Sequence, residues 1–189
     1  TVSDDGYTKL WDITNATAPE EMFERMGHNE KVKSVTFSRD GRRLATSGFD
    51  GAIKIWSLAA TSFGLPLTTI SDPAERLITY ALAFSPDGTR LAAGRVDGTI
   101  ALWDLASSQK VLTFPGHKAN VFAVAFSPDG TQLLTGAFDS VKIWDSSSSQ
   151  VIQELFGHTA AVRDVAFSAD GLRVATASED QRVKIWNVD

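Results

Sequence analysis

The six-residue segment AFSPDG at Ala83–Gly88 occurs again, unchanged, at Ala125–Gly130, 42 residues further along the chain. Two near-copies, TFSRDG starting at Thr36 and AFSADG starting at Ala166, extend the series. A period of this size indicates an internal repeat, in which each unit buries its apolar face only by stacking on its neighbours. The sequence therefore predicts a repeat architecture rather than one irregular domain.

Each repeat consists of short runs of alternating apolar and polar residues separated by turns, the pattern of antiparallel β-strands. In the copy that contains the second AFSPDG segment, the third full copy, the predicted strands are Val121–Ser127, Thr131–Ala137, Val141–Ser146 and Val151–Phe156. A tight turn is predicted between the first two strands. Pro128 presets φ there, and Gly130 tolerates the left-handed conformation. The segments of variable length, 15–21 and 59–66, are predicted to be loops.

All five tryptophans of the chain fall at one position of the repeat. Their spacings are 45, 47, 41 and 42 residues, for Trp11, Trp56, Trp103, Trp144 and Trp186. The predicted copies are residues 1–26, 27–70, 71–115, 116–156 and 157–189. We number the four copies from residue 27 onward as the first full copy to the fourth. We treat them as one domain, because each unit needs its neighbours to form a core.

The order of these signals resembles the WD-repeat β-propeller family: Gly-His, then F-S-P-D-G, then Asp, then W-D, over essentially the whole chain. The resemblance implies an all-β fold of four-stranded blades around a channel, with about four and a half blades present. Family analogy implies a seven-blade ring, whose remaining blades come from a longer chain or a second copy. Closure with five blades is the alternative.

The resemblance also implies a hydrogen-bonded set of His, Thr, Asp and Trp within each blade. Mapped by spacing, the sets are His28, Thr46, Asp50 and Trp56; His117, Thr135, Asp139 and Trp144; and His158, Thr176, Asp180 and Trp186. The second copy keeps Asp97 and Trp103 but has Glu75 and Ala93 in place of His and Thr. We expect these sets to be structural, because a buried indole N–H needs an acceptor, and we expect Glu75 to point to solvent.

Composition argues against several classes of function. The net charge is −5, and no run of Lys or Arg suggests nucleic-acid binding. No apolar run is long enough to span a membrane, and no cysteine is present to form a disulfide or a thiolate site. We therefore expect a cytoplasmic, non-enzymatic protein with no metal, no cofactor and no nucleic-acid or membrane partner.

Family resemblance implies that partners dock on the face formed by the residue before each turn Asp and by residues three and five positions after each His. The candidate binding residues on this face are Lys33, Phe49, Tyr80, Phe122, Phe138 and Arg163. Asp4 and Glu179 occupy matching positions. The expected function is a non-catalytic scaffold that binds a protein or a peptide with an acidic or aromatic element. The alternatives are a lid, sensor or regulatory domain of a larger enzyme or signalling receptor, and small-ligand sensing in the channel.

Overall fold

The structure, a computed structural model, describes residues 1–15, 17–59, 66–71, 77–138 and 140–188, with the backbone alone for Arg25 and Met26. These residues form β-strands and no helix, so none of them belongs to a helix that could cross a membrane. The chain divides into two compact units, 1–79 and 80–189, which we describe separately. The all-β prediction is confirmed.

The first unit contains a two-stranded sheet followed by a four-stranded sheet, both antiparallel. The first sheet consists of β1 (Tyr7–Asp12) and β2 (Glu20–Met26). The second contains β3 (Val32–Phe37), β4 (Arg43–Gly48), β5 (Ala52–Ser57) and β6 (Pro66–Ser71) in that order. The loop predictions are wrong at their ends, because Glu20 and Glu21 belong to β2 and Pro66 to β6. Residues 60–65 lie outside the described residues.

The second unit contains two four-stranded sheets and one three-stranded sheet. The first is formed by β7 (Thr79–Phe84), β8 (Arg90–Arg95), β9 (Ile100–Asp104) and β10 (Gln109–Phe114). The second is formed by β11 (Val121–Phe126), β12 (Gln132–Ala137), β13 (Val141–Asp145) and β14 (Val151–Leu155). The third is formed by β15 (Val162–Phe167), β16 (Arg173–Ser178) and β17 (Val183–Asn187). The four strands predicted in the third copy are confirmed to within one residue at each end.

The repeated S-x-D-G turn joins the first two strands of each copy. Gly130 adopts φ 76°, and its N–H donates to Ser127 O at 2.9 Å, which closes the turn as predicted. In the preceding copy Ser85 Oγ donates to Asp87 at 2.5 Å, and the backbone N–H of Thr89 donates to the same carboxylate. These two hydrogen bonds lower the pKa of Asp87 to about 2. The turn is thus fixed by side-chain and backbone contacts together.

The sheets of the second unit pack face to face through aliphatic side chains. Ala81, Ile100 and Leu102 of one sheet lie in a single buried cluster with Val121 and Leu133 of the next. A second cluster joins the β11–β14 sheet to the β15–β17 sheet. A Cβ on Gly136 would lie 2.8 Å from Val162 Cγ1, so the two sheets approach as closely as they do because this position has no side chain.

Truncating one side chain in this second cluster should destabilise the protein strongly. We expect Leu134→Ala to lower the free energy of unfolding by about 2–5 kcal/mol, because Leu134 is fully buried and its loss leaves a cavity. Val111→Ala on β10, where Val111 is 52% exposed, should change it by less than about 0.5 kcal/mol. Urea unfolding followed by tryptophan fluorescence measures both. Equal effects would contradict the packing described for β11–β17.

Candidate functional site: the buried network and the candidate partner surface

In the first full copy the Trp, Thr, His and Asp side chains form a continuous chain of hydrogen bonds. Trp56 Nε1 donates to Thr46 Oγ1 at 2.9 Å, and Thr46 Oγ1 lies 2.8 Å from His28 Nε2. His28 Nδ1 lies 2.9 Å from Asp50 Oδ1. A neutral imidazole with its proton on Nδ1 satisfies every donor in this chain, because Nε2 then accepts from the Thr46 hydroxyl. The arrangement holds the buried indole in one orientation.

The same chain recurs in the last copy. Trp186 Nε1 donates to Thr176 Oγ1 at 3.0 Å, and both His158 contacts, to Thr176 and to Asp180, measure 2.7 Å.

The third copy shows three of the four members of the hydrogen-bonded set. Trp144 Nε1 donates to Thr135 Oγ1 at 2.8 Å, and Thr135 lies 2.8 Å from His117 Nε2. Asp139, the predicted fourth member, lies outside the described residues.

A lysine completes the network, and the sequence analysis missed it. Lys54, Lys142 and Lys184 lie opposite the network threonines in the strand register, two residues before each Trp. Each Nζ donates to the carbonyl of the Gly that precedes the network His, at 2.6 Å in the third copy and 2.5 Å in the fourth. In those two copies it also lies over the Trp ring, 5.7 and 5.4 Å from the centroid. The signal was present in the recurring letters K-I-W.

The second copy lacks the Thr and the Lys, and among the residues that the structure describes its tryptophan has no acceptor. Ala93 and Ala101 face each other in the register where the other copies have Thr and Lys. Trp103 Nε1 is buried, and within the described part of the chain no acceptor lies within hydrogen-bonding distance. Asp97 accepts from the N–H and hydroxyl of Thr99 at 3.0 and 2.7 Å. Glu75 lies outside the described residues, so its predicted orientation stays a prediction.

Burial and hydrogen bonding together set the charges of the network in the first full copy. Burial lowers the pKa of His28 below its usual value, and the hydrogen bond from its ring to Asp50 opposes this only in part. Burial raises the pKa of Asp50, but hydrogen bonds from His28 and from the backbone N–H groups of Ala52 and Asn29 outweigh it, so the pKa falls. His28 is therefore neutral and Asp50 ionised near neutral pH.

The described histidines of the network are engaged by contacts inside the protein. Each His bonds to members of its own set, and the described residues contain no group of three or more His, Asp or Glu side chains that could hold a metal ion. A nucleophile or general base must instead have a lone pair directed at a substrate. The arrangement supports a structural role.

Three of the predicted binding residues come together in the second unit. The Arg163 guanidinium carbon lies 3.9 Å from the centre of the Phe122 ring, and the Tyr80 ring centre is 5.4 Å from that of Phe122. Arg163 Nε and Nη2 donate to Glu179 Oε1 at 2.8 and 2.6 Å. We call these four residues the Arg163 cluster. Phe138 is 61% exposed and lines a small cleft with Leu155 and His158.

The other two predicted residues meet in the first unit. Lys33 Nζ lies 5.3 Å from the centre of the Phe49 ring and 2.6 Å from Asp4 Oδ1. Lys31 Nζ contacts the other oxygen of Asp4 at 3.1 Å. The hydrogen bond from Lys33 and then that from Lys31 lower the pKa of Asp4. In both units, therefore, a cation lies over an aromatic ring and is paired with an acidic side chain.

Repeated antiparallel sheets with a Trp–Thr–His–Asp chain define a repeat protein of the WD type. The model of the WD domain, G-beta repeat family matches residues 20–57, 64–104, 108–145 and 149–187. The chain therefore belongs to the WD-repeat family. Each match begins near the last strand of one sheet and ends at the Trp strand of the next.

Several curated proteins are similar to part of this chain. Ribosome assembly protein 4 of Chaetomium thermophilum is 40% identical over 55 residues, which are 29% of this chain and 10% of that protein. Target of rapamycin complex subunit wat1 of Schizosaccharomyces pombe is 40% identical over 57 residues, 30% of this chain and 18% of that protein. DNA damage-binding protein 2 of Mus musculus is 32% identical over 73 residues, which are 39% of this chain and 16% of that protein. The matched region thus spans less than a fifth of each relative.

Supplying the missing hydroxyl should stabilise the second copy. We expect Ala93→Thr to exceed Ala93→Val in unfolding free energy by about 0.5–1.5 kcal/mol, because only the Thr hydroxyl gives Trp103 Nε1 an acceptor. The two side chains have nearly the same shape, so the comparison isolates the hydrogen bond. Chemical denaturation measures it. Equal stability of the two variants would contradict the account.

Acidification should weaken the first network before it affects the carboxylates. The folded-state pKa of His28 lies below its reference value of 6.5, so the unfolded chain takes up the proton first. The stabilising contribution of neutral, buried His28 to the free energy of unfolding is complete above about pH 6.5. It is lost as the pH falls below that value, by at most about 1.4 kcal/mol per pH unit. NMR titration of His28 and denaturation between about pH 7 and about pH 5 measure this. His28→Gln should show a shallower slope, and a His28 pKa above 6.5 would contradict the prediction.

Proposed function

We propose that this chain is a non-catalytic scaffold that binds a protein or peptide through the Arg163 cluster. Membership of the WD-repeat family supports a protein-interaction role. The names of similar proteins, a ribosome assembly protein and a subunit of a target of rapamycin complex, point in the same direction. Because the network side chains bind one another, we place function on the exposed surface rather than in the network.

The observation that carries the proposal is the stacking of Arg163 on Phe122 at 3.9 Å. Arg and aromatic residues dominate the binding energy of protein interfaces, and rigid side chains lose less entropy on binding. Phe122 is held by the ring of Tyr80, and Arg163 by the carboxylate of Glu179. Both Phe122 and Arg163 remain accessible to solvent, so they are ordered in advance and still available to a partner.

The test is selection of binding peptides. A random heptapeptide display library selected on the purified chain should yield peptides whose binding falls at least about tenfold with Phe122→Ala plus Arg163→Ala, as for a loss of about 1.4 kcal/mol. Isothermal titration calorimetry with synthetic peptides measures the loss. The melting temperature of the double variant should remain near that of the parent, because both side chains lie at the surface.

Ile152→Ser is the matched control, since Ile152 is exposed on the outer strand β14. It should leave peptide binding unchanged. If every selected peptide binds the double variant as tightly as the parent, the Arg163 cluster is not the binding surface and the proposal fails.

A further inference from the structure

We infer that the partner group that meets Arg163 is an aromatic side chain and not an acidic one. This inference rests on the proposed function, since it concerns the same cluster. It decides between the acidic and the aromatic element that the sequence left open.

The charge of Arg163 is already paired within the protein. Its Nε and Nη2 groups both donate to Glu179 Oε1, at 2.8 and 2.6 Å. These two N–H groups occupy the Nε–Nη2 edge of the guanidinium, so a partner's carboxylate could reach only the remaining Nη1–Nη2 edge, beside a carboxylate that already compensates the charge. An acidic partner group would have to displace Glu179 or accept a weaker contact beside it.

The surroundings also disfavour an acidic group. Glu179 is exposed, so an incoming carboxylate would approach a like charge across a short distance. The whole chain carries a net charge of −5, which adds a weak repulsion at long range. The first unit shows the same pairing independently, since Asp4 binds both Lys33 and Lys31. The two cations among the predicted binding residues, Lys33 and Arg163, are therefore both paired with acidic side chains of this chain.

The planar group still offers a face. The guanidinium carbon lies 3.9 Å from the centre of the Phe122 ring, from which we infer that one face covers the ring, and its edge meets Glu179. The Arg163 side chain remains 49% exposed, and we infer that this exposed part includes the face turned away from Phe122. Arg stacks on aromatic rings through such faces, and pairing with a carboxylate in the plane leaves the face free. A partner aromatic ring placed there would make a three-layer stack of ring, guanidinium and ring.

The experiment uses three synthetic versions of one library-selected heptapeptide, which carry Trp, Leu or Asp at the position that depends on Arg163. On the parent chain the Trp peptide should bind about two- to fivefold more tightly than the Leu peptide, as expected for an exposed cation–aromatic contact. The Asp peptide should bind more weakly than the Leu peptide. Arg163→Met, which keeps a long unbranched side chain but has no charge, should remove the preference for Trp over Leu.

Glu179→Gln is the decisive variant, because it removes the competing charge and leaves only the weaker neutral amide oxygen at the guanidinium edge. The Asp peptide should then gain at least about threefold in affinity relative to the Leu peptide. Glu154→Gln removes the same charge from β14 and should leave the ratio unchanged, which separates local pairing from net charge.

The outcomes distinguish the two proposals. Selected peptides that need Phe122 but prefer Asp over Trp on the parent chain would overturn the aromatic inference and leave the proposed function intact. A Trp preference that survives Arg163→Met would also overturn the inference. Selected peptides whose binding ignores Phe122 would overturn the proposed function itself.

Discussion

The buried indole N–H groups of Trp56, Trp103 and Trp144 are the constraint on which the rest of the structure depends. Packing one sheet on the next places the Trp ring in the interface, where its N–H cannot reach water. In three copies a threonine one strand away accepts that hydrogen bond and contacts a histidine, and in two of them an aspartate completes the set. The polar residues of the repeat therefore follow from the apolar packing rather than from a reaction.

The second copy shows what happens when the constraint is only partly met. Ala93 and Ala101 replace the polar pair, and the Trp103 ring still packs while its N–H finds no acceptor within the described part of the chain. An orphaned buried donor costs roughly 1–3 kcal/mol, which the burial of a tryptophan side chain can outweigh. Packing thus sets the position of the ring, and the network adds orientation and stability to it.

The sequence predicted the candidate site in part. It placed Phe122, Arg163 and Glu179 on one face from the family resemblance and their spacing, but it did not pair Arg163 with Glu179. The structure brings Glu179, 16 residues later in the chain, into contact with Arg163. Lys142 was missed in a similar way, because a single lysine in a strand is ordinarily a solvated surface residue. Its role depends on the glycine carbonyl 26 residues earlier.

The sequence by itself determined the strand order, the turns and, through the family resemblance, the Trp, Thr and His members of the network. These depend on local alternation, on glycine at turns and on a period that repeats five times, all of which are written in neighbouring letters. Only the tertiary structure decided which charges are paired and which buried donor has no acceptor among the described residues. Those features depend on distances between side chains far apart in the sequence, and a difference of an ångström or two separates a hydrogen bond from no interaction.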